Sequence, residues 1–183
     1  FACDPGVVTA AYVAEKMNLP HSGSYESVRI LQNKGLFRKF LADNGFNVPK
    51  AKGYTKIEDA LKDVGYFSWP VIVKPTDSAG SKGVTRVDSV DCLEKSIKYA
   101  LSFSNSNEFI IEDFLEKKGH SSDTDSFSVD GKLEFVSFSA QRFDDDCENP
   151  YTPSAYSWPS TISVENQREL TKEIQRLLTL LNM

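Results

Sequence analysis

Ile72-Val73-Lys74-Pro75-Thr76-Asp77-Ser78-Ala79-Gly80-Ser81-Lys82-Gly83-Val84 carries the clearest chemical signal in the chain. Trp69 to Pro75 is an apolar, β-branched run bounded by prolines, which predicts a buried strand. Gly83 to Val87 predicts a second strand, and Thr76 to Lys82 a polar loop between the two. Small residues let main-chain N–H groups come close to an anion, and successive N–H groups can form a concavity that holds one. A lysine at the strand end adds a compact positive charge. These residue types suit a phosphate site, and they also suit a plain hairpin with a mobile tip and incidental lysines. The loop is not a Walker loop, because the GxxxxGK[ST] order is missing and a strand follows in place of a helix.

Upstream, Asp4-Pro5 predicts a helix start, with Asp4 as cap and helical composition from Val7 to Met17. Tyr25 to Asn33 and Lys34 to Asp43 predict two more helices, the second with Leu36, Phe37, Phe40 and Leu41 on one face and Gly45 as its stop. Phe46 to Tyr54 reads as extended and Ile57 to Val64 as a short helix. Downstream, Asp88 or Ser89 caps a helix to about Ser102, and Glu108 to Phe114 is a strand. Phe127 to Val129 and Leu133 to Ala140 flank Asp130-Gly131, a strong hairpin signal. Asp144 to Ser160 shows no period, and Ser163 to Leu181 is an amphipathic helix with Leu170, Ile174, Leu177, Leu178 and Leu181 at helical spacing. Hairpins beside flanking helices indicate an α+β fold.

The 183 residues suffice for one ordinary domain or two small lobes, and 40% hydrophobic with 26% charged residues is ordinary for a globular chain. A net charge of −5 supplies no basic field, which argues against nucleic acid as a partner. No apolar run reaches the roughly 20 residues of a membrane span, and no signal peptide is visible. Cys3, Cys92 and Cys147 are odd in number and far apart, as free thiols of a cytoplasmic protein would be. The chain opens at Phe1 rather than Met, in what reads as the end of a strand, so a piece of a longer protein is expected.

The strand-borne lysine of VIVKP with the following SAGSKGV resembles the central motif of ATP-grasp enzymes. NKGLFRKFLADNGFNVPKAKGY is similar to that family's lysine-initiated helix and the strand after it, and FIIEDFLEKKGH to its hinge strand. The resemblance covers about residues 30 to 140. It implies an ATP-grasp fold, two α+β lobes holding ATP between them, over residues 23–183, with residues 1–22 as the tail of a preceding α/β domain. It implies a ligase that uses ATP to activate a carboxylate as an acyl phosphate for attack by an amine or related nucleophile. The nearest likeness is to carbamoyl-phosphate-synthase-like and amino-acid-ligase members. A non-catalytic nucleotide-binding or interaction domain that keeps the fold is the alternative.

By the same resemblance, Lys34 and Lys74 face the phosphates, with Lys74 also near the adenine, and Ser78, Gly80, Ser81 and Gly83 form a lid loop. Glu112 approaches the adenine amino group, and the backbone of Asp113, Phe114 and Leu115 meets the base edge. Val73, Ile111 and Phe114 are expected to sandwich the flat ring. Where many members place a ribose-binding glutamate, this sequence leaves Glu116 and His120 as alternatives. Arg142 is the candidate to hold a carboxylate or acyl phosphate, and Tyr151 to Trp158 either lines an acceptor pocket or is a packed surface loop. The family's Mg²⁺ ligands are expected beyond Met183, so no metal ligand is assigned here and this piece alone is expected to lack ligase turnover. Asp144-Asp145-Asp146 reads as a solvated acidic loop. Expected partners are ATP and small carboxylate and amine substrates, with neither nucleic acid nor membrane; a homodimer stays open.

Overall fold

The computed structural model describes residues 4–21, 23–144, 146, 147 and 149–183. Two compact units emerge, Phe1–Ala10 with Val28–Glu116 and Ala11–Ser27 with Lys117–Met183. Helices α1 (Asp4–Lys16) and α2 (Tyr25–Gln32) contribute residues to both. Asp4 lies inside the first turn of α1 rather than just before it.

The first unit is built on four antiparallel strands, β1 (Ala51–Tyr54), β2 (Val71–Pro75), β3 (Thr85–Val87) and β4 (Phe109–Asp113), in the order β1-β4-β2-β3. Side chains alternate across a strand, so β2 and β4 each present two different faces. Val71, Val73, Phe109 and Ile111 are fully buried on one face, with Val87 and the ring of Tyr54. Helix α5 (Leu93–Leu101) closes this face with Leu93, Ile97 and Ala100 at helical spacing, and Ala60 of α4 (Ile57–Lys62) joins the same core. Each of the large side chains, Leu93 and Ile97 among them, stabilises by roughly 1.5–3 kcal/mol when removed from water, and each alanine by less. A short 3₁₀ turn, Val90–Cys92, stands where the sequence predicted the opening of a longer helix.

Helix α3 (Lys34–Asp43) packs chiefly on β1. The crossing is close because both contact points are glycines: a Cβ built on Gly53 would sit 3.7 Å from the Gly35 Cα. Asn33 caps the helix, its Oδ1 accepting from Gly35 N and Leu36 N, each at 3.0 Å. Lys34 N donates to Thr76 O at 3.0 Å, which ties the start of α3 to the end of β2.

In the second unit, β5 (Ser122–Val129), β6 (Lys132–Arg142) and β7 (Ala155–Ser157) form an antiparallel sheet. Asp130 at φ 49° and Gly131 at φ 78° supply the two positive φ angles that a tight hairpin turn requires. β7 lies inside the stretch expected to be irregular; three residues are too short to show a period of two. Helix α6 (Val164–Leu181) begins at its cap Ser163, which accepts from Asn166 N at 3.2 Å. Gln175 fastens it to the hairpin, accepting from Leu133 N and donating to Gly131 O, both at 2.8 Å. Of the five apolar residues predicted for its buried face, Leu181 is fully buried, Ile174, Leu177 and Leu178 are half-buried, and Leu170 is 44% exposed.

Candidate nucleotide site

The face of β2 and β4 opposite the α5 core carries Ile72, Lys74, Ile110 and Glu112, and its chemistry differs from that of the core. Glu112 is 3% exposed. Its carboxylate takes a two-point bond from Arg38 of α3, Nε to Oε1 at 3.1 Å and a terminal nitrogen to Oε2 at 3.2 Å. Lys74 Nζ lies 3.1 Å from Oε2. Burial raises the pKa of Glu112, but Lys74 and Arg38 outweigh it and hold the carboxyl below its ordinary 4.5. Lys34, at the start of α3, donates from Nζ to Ser78 O in the loop after β2. Burial and the positive charge of Lys74 lower its pKa, with Asp77 and Glu112 opposing. Arg38, Lys34 and Lys74 thus bring three cations to one buried carboxylate and one loop.

The loop is held at its start. Asp77 Oδ2 accepts from Asn105 N at 2.9 Å and Ser106 N at 2.8 Å. Burial raises the Asp77 pKa, but hydrogen bonds from Ser104, Ser106 and Asn105 prevail and lower it. Gly80, Ser81 and Gly83 all have positive φ, at 66°, 56° and 73°. At Gly83 a Cβ would come within 3.1 Å of both Phe103 and Pro75, so a side chain would crowd them as well as strain the positive φ. No side chain fills the space at Gly80, where a Cβ would meet nothing within 4 Å.

At the end of β4, Asp113 N donates to Lys50 O at 2.9 Å and Phe114 N to Pro70 O at 3.0 Å. Among the described residues, the Leu115 N–H is therefore the donor of this segment not committed to a neighbour. The Asp113 carboxylate accepts from Ser68 N at 2.8 Å, and Arg86 lies over the Phe114 ring at 4.6 Å. The expected ring sandwich is corrected in part. Val73 and Ile111 are fully buried in the α5 core, and the apolar residues of the lysine face are their neighbours Ile72 and Ile110. The strand alternation was off by one residue for those two positions.

A model of the ATP-grasp domain matches residues 31–182. The chain belongs to the ATP-grasp family. The carbamoyl phosphate synthase large chain of Thermotoga neapolitana is 26% identical over 160 residues, covering 87% of this chain and 14% of that protein. The D-alanine–D-alanine ligase of Flavobacterium psychrophilum is 40% identical over 77 residues, 38% of this chain and 22% of the relative. The chain thus spans a minor part of the length of these relatives. In fold it is similar to an L-amino acid ligase from Bacillus licheniformis, with TM-score 0.75 and 23% identity over 98% of this chain and 40% of that one. It is likewise similar to the biotin carboxylase domain of the Hydrogenobacter thermophilus 2-oxoglutarate carboxylase, whose structure holds MgADP, ADP and bicarbonate (TM-score 0.78, 13% identity, 100% and 41% covered).

Within this ATP-grasp domain, the first unit gathers Lys34, Lys74, Ser78, Gly80, Ser81, Gly83, Glu112, Asp113, Phe114 and Leu115. His120 and Arg142 belong to the second unit, where Arg142 donates to His120 Nε2 and, at 3.2 Å, to Ser157 Oγ. Glu116, the other ribose candidate, is exposed. Asp146 N bonds Asp144 Oδ1 at 3.1 Å in a turn, and Asp145 and Cys3 lie outside the described residues. Among the described residues no cluster of three His, Cys, Asp or Glu could hold a metal, and no helix is long and apolar enough to cross a membrane. Cys92 and Cys147 are exposed free thiols.

Arg38 was missed in the sequence. Its position four residues after Lys34 on one helix was the available signal, since residues so spaced share a face. A cavity of about 1020 Å³ in the first unit runs along α3, β1 and α4. Arg38 borders it, whereas Lys34, Lys74 and Glu112 do not, so this cavity is not where the charges converge.

Proposed function

We propose that this ATP-grasp domain binds ATP, with Lys34 and Lys74 against its phosphates, and serves an ADP-forming ligase that joins a carboxylate to an amine or related nucleophile. The convergence of Lys34 and Lys74 beside a loop with three positive-φ residues carries this reading. Lysines neutralise phosphate charge, and main-chain N–H groups of a loop of small residues can approach phosphate oxygens without side-chain obstruction. Bound ATP would supply the phosphoryl group that activates the carboxylate. The chain's own residues position and neutralise, and no nucleophilic side chain is assigned.

Glu112 has one bond to Oε1 and can accept a further one there, which suits the adenine amino group; the Leu115 N–H suits a ring nitrogen. Arg142 is proposed to hold the carboxylate or acyl phosphate, and His120 the ribose. Mg²⁺ accompanies the nucleotide in this reading, and no described residue is assigned to it. The relatives named as amino acid ligases and carbamoyl phosphate synthase favour small carboxylates as substrates. The test is ADP release by the full-length protein with MgATP, on a panel of amino acids and bicarbonate with and without an amine acceptor. Release that requires both substrates is expected. ATP binding without turnover on any pair would favour a non-catalytic binding module.

A further inference from the structure

We propose that Arg38 is a positioning residue that holds the charge of Glu112 so that Lys74 can turn from Glu112 to the phosphates. The inference rests on the nucleotide reading above and assigns a role to a residue that reading does not use.

Glu112 is almost out of water, with 4% of its side chain exposed, and carries two cations where one charge would balance it. A buried carboxylate stripped of every cation is strongly disfavoured. If Lys74 were its one partner, drawing Lys74 toward a phosphate would leave Glu112 uncompensated, and the carboxylate would compete with the nucleotide for the lysine.

Arg38 removes that conflict. Its two-point bond engages both carboxylate oxygens, at 3.1 and 3.2 Å, whereas Lys74 shares one oxygen through a single contact. Its side chain comes from α3, the helix that begins at Lys34, so the first phosphate-facing lysine and the charge keeper of the second share one rigid element. The planar fork is anchored while the single contact of the flexible lysine can be given up.

ATP and adenosine are titrated calorimetrically into the full-length protein and its Arg38→Gln, Glu112→Gln and double variants, with heat unfolding as the check on folding. Arg38→Gln is expected to weaken ATP binding on the order of ten-fold, a coupling usual for groups in one ion-pair network. Adenosine binding should be little changed, which a general structural role would not spare. In the Glu112→Gln background the same substitution should have little effect on ATP. Arg38→Lys keeps the charge without the fork; it is expected to fold, to fall between the two, and to replace Arg38→Gln in the cycle if that variant does not fold. An equal loss in both backgrounds, or none in either, overturns the role of Arg38 while leaving the nucleotide site standing. No ATP binding by the parent protein overturns the nucleotide reading and this inference with it.

Discussion

Val73 and Lys74 are neighbours in β2, as Ile111 and Glu112 are in β4, yet they live in different solvents. Val73 and Ile111 meet Leu93 and Ile97 in a dry core, where shape and area decide the energy. Lys74 and Glu112 meet each other and Arg38, where the balance of desolvation and pairing decides. The first unit thus uses one face of its sheet for stability and the other for charge, and a slip of one residue in register would exchange them.

The largest expected effect lies on the dry face. Phe109 is fully buried and stacked on Tyr54 at 5.6 Å, so Phe109→Ala should cost about 3–5 kcal/mol in denaturant unfolding. On the charged face, Glu112→Gln should cost about 2 kcal/mol at neutral pH, by leaving Arg38 and Lys74 without a counter-charge. The pH dependence has a definite sign. Glu112 has a folded pKa below 4.5, so its contribution is full above that value and is lost as pH falls through the folded value. The gap between parent and Glu112→Gln should therefore close on acidification, and a gap that stays constant would remove Glu112 from the ion pairs.

Gly83→Ala comes next, at about 1–2 kcal/mol for a side chain forced to positive φ, read as a lower melting temperature. Lys34→Met should leave the melting temperature unchanged or raised, because burial and Lys74 disfavour the charge it removes, while ATP binding is lost. The smallest effect belongs to Lys39, one residue beyond Arg38 but exposed and paired with Asp43. Lys39→Ala should shift stability by no more than about 0.5 kcal/mol and leave ATP binding as it was.

Much of this division was legible in the sequence where residue type alone is decisive. Lys74 at the end of a β-branched run, glycines in the following loop and Asp130-Gly131 at the hairpin each name a backbone geometry or a charge. Assigning Val73 and Ile111 to the ring site went wrong because β2 and β4 are apolar on both faces at those points, and an unbroken apolar run does not show which parity is inward. Arg38 stayed hidden because its partner lies 74 residues away in sequence, and the pairing exists only once α3 lies on the sheet. β7 was too short to leave a pattern.

The most direct measurement is calorimetric titration of MgATP into the full-length protein and two variants at adjacent positions, Lys74→Ala and Val73→Ala. If the charged face holds the phosphates, Lys74→Ala abolishes measurable binding, while Val73→Ala lowers the melting temperature and keeps the affinity within a few-fold. Tight binding by Lys74→Ala alongside its loss in a folded Val73→Ala would contradict the placement of the nucleotide on that face.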